Sequence, residues 1–150
     1  MNVFLQLTSE NATIDLTYVL SITGNRNSFA YYIFDPVTES IAAPGLIMLY
    51  PLLKDVVPAY LPAGCMNPGY TITLGPFRAG TIIGFAIWVN AWSNGNTALN
   101  LNAQKWYSLT GRNVVNTDGN KHVSWASIDG RAVFGFEDAS MGDRDFNDGM

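Results

Sequence analysis

The chain has 150 residues, 13% charged and 48% hydrophobic, with a formal net charge of -4 and an isoelectric point near 4.6. Such a length and composition suit one folded domain, residues 1–150, and not a disordered chain. The eight Lys and Arg are scattered singly, which argues against a nucleic-acid footprint. The longest apolar run, Thr81 to Trp92, is well short of the roughly 20 residues of a membrane helix, so membrane insertion is not expected. The N-terminal stretch "MNVFLQLTSENATIDL" lacks the basic and apolar regions of a secretory signal.

From the N-terminus onward, apolar residues recur with the period-two spacing of strands. After a first candidate at Asn2 to Leu7, "ATIDLTYVLSIT" sets Ile14, Leu16, Tyr18, Leu20 and Ile22 on one face, with mostly polar residues on the other. Further strands are predicted at Ser28 to Phe34, Gly69 to Leu74, within 81–92, and at Lys105 to Leu109, His122 to Ile128 and Arg131 to Phe136. Turn formers such as "TGNRN", "GPFRAG", "NTDGN" and "IDGR" separate them. This pattern predicts an all-β, antiparallel β-sandwich of jelly-roll-like type. One stretch differs: Ala43 to Pro62 is apolar and broken by Pro51, Pro58 and Pro62. It reads as a long loop over one end of the sandwich, with a short helix around "PLLKDVV" or a subunit contact as alternatives.

The chain closes on "FGFEDASMGDRDFNDGM", where five carboxylates fall within the last fourteen residues. Asp143, Asp145 and Asn147 alternate, so their oxygens are expected to line one side of a tight loop, and Asp148 adds a carboxylate. Glu137 and Asp138 stand just upstream. Hard cations such as calcium take six to eight oxygen ligands, which makes Ca2+ the natural occupant. Magnesium keeps several of its waters and suits such a cage less well. The alternative is an acidic, solvated turn. The spacing begins like an EF-hand loop, but Asp148 replaces the required glycine and no glutamate follows, so an EF-hand is rejected.

"FGFEDASMGDRDFND" resembles the closing signature of a bacterial domain family of originally unknown function, F-E-D followed by G-D-x-D-[FY]-N-D. "TGNRNSFAYYIFD" is similar to the family's early N-x-N-S-F-G-x-Y strand, and "NTDGNKHV" to its N-x-DG-x-x-H-V segment. The resemblance implies a calcium-dependent β-sandwich of secreted and RTX adhesin-type proteins that acts by binding. It carries Glu137, Asp138, Asp143, Asp145 and Asp148 over as metal candidates, with Asp118 and Asn147 as weaker ones. Where the family continues into an apolar strand, this chain has only Gly149 and Met150, so a neighbouring chain is expected to supply that strand.

No enzyme is expected. His122 is the only histidine, and no nucleophile motif, phosphate loop or dinucleotide fingerprint accompanies it. With Asp118 nearby, it is read as ordering a turn or touching the metal loop. Cys65, the only cysteine, is read as a small buried residue. Trp88 and Trp125 are expected in the core, and Trp92 and Trp106 at the surface. Two functions are expected to compete. One is a structural subunit or decoration element of an extracellular or virion assembly, with copies of itself or other subunits as partners. The other is an adhesin-like module for a glycan, peptide or cell surface. Both place the protein outside the cell, at a cell surface or in a virion.

Overall fold

The computed structural model describes residues 2–19, 27–48, 68–91, 100–139 and Phe146. Its strands are β1 (Leu5–Gln6), β2 (Ala12–Thr17), β3 (Ser28–Asp35), β4 (Ser40–Ile41), β5 (Ile47–Met48), β6 (Thr71–Phe77), β7 (Ile82–Trp88), β8 (Lys105–Tyr107), β9 (Val123–Ile128) and β10 (Arg131–Phe136). Every strand pairing is antiparallel, and no helix occurs among the described residues. The all-β, antiparallel class expected from the period-two pattern is the one the chain adopts.

β7 is the axis of a six-stranded sheet. β3 runs along one edge of it, from Ser28 opposite Trp88 to Ile33 opposite Ile83. The other edge is shared end to end: β1 meets Ile82 and Ile83, while β8 meets Ala86 to Trp88. The outer edge of β3 is divided in the same way between β4 and β5. β2 with β6, and β9 with β10, form two separate two-stranded sheets.

These sheets share a core because strand residues alternate between faces. On one face of the main sheet, Phe29, Ile83, Phe85 and Ile87 pack with Leu74 of β6, Val123 of β9 and Phe136 of β10. The ring pairs Phe29–Phe136 and Phe85–Phe134, with centroids 4.8 and 5.2 Å apart, fasten the β9–β10 hairpin to that face. On the other face, Tyr32, Phe34, Ala86 and Trp88 pack with Ala103, Leu109 and Val114. β7 is therefore covered on both sides, which is why its sequence reads as an unbroken apolar run. β2 is covered on one side only and reads as a clean alternation: Ile14 and Leu16 join the core. Its outer face carries Asp15 and Thr17, bonded across to Thr73 and Thr71 at 2.6 and 2.8 Å.

Some boundaries differ from the sequence expectation. Regular strand in the Asn2 to Leu7 run is confined to Leu5 and Gln6, with Val3 and Leu7 adding backbone bonds to Ser108 and Thr81, and β6 continues past Leu74 to Phe77. β4 and β5 were not foreseen, because two residues contain no readable period. β5 also corrects the reading of Ala43 to Pro62 as a loop, since Ile47 and Met48 pair with Tyr31 and Ala30 at its start. Residues 49–62, where a short helix around "PLLKDVV" is the alternative expectation, lie outside the described residues, as does Cys65.

Gly84 and Tyr32 are cross-strand partners. Tyr32 lies across the glycine, so a Cβ there would stand 2.6 Å from its hydroxyl. The Tyr32 hydroxyl donates to the Leu109 carbonyl at 2.6 Å and accepts from the Leu109 N–H at 3.2 Å. Burial pushes its pKa far up, and the Leu109 and Ser108 hydrogen bonds only partly offset this. A tyrosine whose folded pKa exceeds its unfolded value of about 10 contributes stability that is intact below that pH and lost as pH rises beyond it. Tyr32→Phe is therefore expected to cost about 1–3 kcal/mol near neutral pH through the lost bonds. Chemical denaturation above about pH 10 should show the gap between wild type and variant closing. A gap independent of pH would contradict this.

Candidate metal centre

The sequence places Glu137 and Asp138 directly after β10, and the fold buries both, at 3% and 6% exposure. Buried carboxylates are costly unless hydrogen-bonded or charge-compensated, so their surroundings matter. The Glu137 N–H donates to the His122 carbonyl at 2.9 Å, extending the β9–β10 ladder by one step. The His122 side chain returns the contact: its Nδ1, 2.9 Å from the Glu137 carbonyl, faces an acceptor and so donates. Its Nε2 lies 3.0 Å from the nearer oxygen of Asp118. The imidazole is fully enclosed and stacks on the Trp106 indole, with centroids 3.9 Å apart and planes 1° from parallel.

Trp106 also donates its Nε1–H to the Asp138 carbonyl at 2.9 Å. The Asp138 carboxylate accepts from the Asn27 side-chain amide at 2.6 Å, a short, charge-assisted bond. Asn27 is wholly buried at the mouth of β3, and its own carbonyl oxygen accepts from the Asn90 N–H at 2.9 Å. The acidic step is thus gripped from β8, from the ends of β3 and β7, and from the start of β9.

Asp118 joins this cluster through His122. Burial raises its pKa, but hydrogen bonds from the Asn120 N–H, the Asn120 amide and His122 outweigh that, and its pKa lies below the usual carboxylate value. His122 therefore orders the turn that carries Asp118, and it touches the acidic step as well.

Phe146 is the described residue inside the acidic closing segment, and it adopts a left-handed backbone with φ of 57°. Its carbonyl sits so close to Gly135 that any Cβ there would collide with it. Gly135 lies two positions before Glu137, so Phe146 sits beside the acidic step. Asp143, Asp145, Asn147 and Asp148 lie outside the described residues. Among the described residues, no three His, Cys, Asp or Glu side chains gather as a metal cage. Glu137 and Asp138 offer oxygen donors on a fixed backbone, and that donor chemistry fits a hard cation.

Two tryptophan expectations are corrected. Trp106 is 2% exposed, not at the surface: in β8 it lies opposite Ile87 and joins the core. Trp125 is 51% exposed, not in the core, because the β9–β10 hairpin runs past the end of the main-sheet packing. Trp88 is buried as expected, and Trp92 lies outside the described residues. Asn27 was missed as a site residue, because nothing in the sequence beside "SFAYYIF" marks its partner Asp138, 111 positions away.

Residues 77–150 match the family model of a domain of unknown function, DUF4114. The matched region includes the closing acidic motif and "NTDGNKHV", and it begins after the "NSFAYY" strand. Neither the curated proteins nor the solved structures yielded a match to the chain.

Proposed function

We propose that this protein is a non-enzymatic, calcium-stabilised β-sandwich. It serves as a structural subunit or decoration element of an extracellular or virion assembly, held by subunit contacts. The observation that carries the calcium reading is the buried Glu137–Asp138 step, fixed in place at the root of a segment containing Asp143, Asp145, Asn147 and Asp148. A divalent cation offsets the cost of gathering such carboxylates, and oxygen-only donors favour calcium. The assembly reading is supported by the outer half of the β9–β10 hairpin, where Trp125 and Ile128 stand exposed on opposite faces. Projecting apolar side chains of this kind suit a protein contact.

A second reading, an adhesin-like module for a glycan or peptide, draws on a polar cleft of about 150 Å³ beside His122. Asn2, Thr110, Asn116, Asn120 and Lys121 line it, and amide, hydroxyl and ammonium groups are the kind that bond sugar hydroxyls.

Saturating calcium is expected to raise Tm by on the order of 5–10 °C, as follows for ligand near a hundredfold above Kd and a chain of this size. EGTA should reverse the shift, and Asp143→Ala with Asp145→Ala should abolish it. An unmoved Tm, with no heat of binding in calorimetry, would refute the calcium reading. Size-exclusion chromatography with and without EGTA then separates the two functions. A calcium-dependent assembly with no hit in a glycan and peptide screen supports the subunit; a monomer that binds a glycan supports the adhesin.

A further inference from the structure

Asn27 and Trp106 reach the acidic step from the opposite side of the core. Asn27 precedes β3 and Trp106 is central in β8, both belonging to the six-stranded sheet, whereas Glu137 and Asp138 continue β10 of the separate hairpin. Neither side-chain group that faces Asp138 can ligate a cation, since each presents an N–H. The orientation of the Asn27 amide is also determined. Its oxygen takes the Asn90 N–H, and reversing the amide would set two donors against each other there while turning an oxygen toward the Asp138 carboxylate. Asn27 therefore anchors one carboxylate oxygen of Asp138, and Trp106 anchors its main-chain carbonyl. The Trp106 ring, stacked on His122, fixes the neighbouring Glu137 carbonyl through Nδ1.

We infer that Asn27 and Trp106 are positioning residues for the cation proposed above, so that the acidic step is held ready for it only while the β9–β10 hairpin is seated on the six-stranded sheet. This inference rests on the calcium reading. Groups that orient metal ligands through hydrogen bonds typically change affinity by about 10–100-fold when removed. Cation binding and hairpin seating are then thermodynamically linked, each favouring the other.

The test is calcium titration calorimetry and the calcium-induced Tm shift on the full chain, comparing wild type, Asn27→Ala, Trp106→Phe and a distant control, Thr71→Val, on the outer face of β6. Trp106→Phe deletes the N–H while keeping an aromatic ring against His122, so it decides the question alone if Asn27→Ala does not fold. The expected result is calcium affinity about 10–100-fold weaker in the folded positioning variants and unchanged in the control. Wild-type affinity in Trp106→Phe and in folded Asn27→Ala overturns the inference while leaving the calcium reading standing. A wild type that gives neither heat nor a Tm shift overturns both.

Discussion

Trp106→Ala is expected to destabilise the protein by about 3–5 kcal/mol, the usual cost of emptying a buried tryptophan site. For a chain of this size that lowers Tm by on the order of 10 °C. Three contacts disappear together: the packing with the Ile87 side of the core, the stack on His122, and the hydrogen bond to the Asp138 carbonyl. Trp125→Ala serves as its counterpart, because that ring is half exposed on the projecting hairpin. Its cost should stay within about 0.5 kcal/mol, as for surface substitutions generally. Thermal and urea denaturation of the two variants side by side checks the assignment. Equal losses, or the larger loss at Trp125, would reverse the placement of the two rings.

Gly84→Ala is expected to cost about 3 kcal/mol although it adds a single methyl group, because an overfilled core forces a neighbour off its rotamer. The backbone conformation at Gly84 is ordinary, so the penalty is wholly steric: the new Cβ meets the Tyr32 ring and hydroxyl. Tyr32 cannot swing aside without giving up both of its bonds to Leu109. The origin of the cost is open to a double-mutant cycle. Tyr32→Leu makes room beside residue 84, so Gly84→Ala should be cheaper in that background, with a coupling of about 1 kcal/mol or more. Strict additivity would show that the strain lies elsewhere.

What the sequence discloses about this fold follows the number of covered faces and the distance between partners. β2 is covered on one face, so its period was plain, and β7 is covered on both, so its apolar run was plain. The hairpin of β9 and β10 was legible from local alternation around "IDGR", but how far it extends beyond the core was not. That extension depends on where the main sheet ends, which no local pattern records, and Trp125 was misplaced as a result. Trp106 was misplaced for the converse reason: it flanks a polar loop in sequence, and only pairing of β8 with β7 turns it inward. The carboxylates of the candidate site were legible because they are clustered in the chain. Asn27 was not, since it meets Asp138 across 111 positions.

The shared edge of β7 has a consequence for biosynthesis. Asn2 exchanges hydrogen bonds with Thr110, 108 positions away, and Val3 donates to the Ser108 carbonyl, so the two ends of that edge come from segments far apart in the chain. Strand pairing over such separations is slow, because the entropy of loop closure is lost before the contacts form. A nascent chain that has extruded β1, β3 and β7 still lacks the partner for Ala86 to Trp88 until Tyr107 clears the ribosome. The sheet is therefore completed only once β8 has emerged, and until then the most apolar strand waits with part of one edge open, where a chaperone has the most to protect.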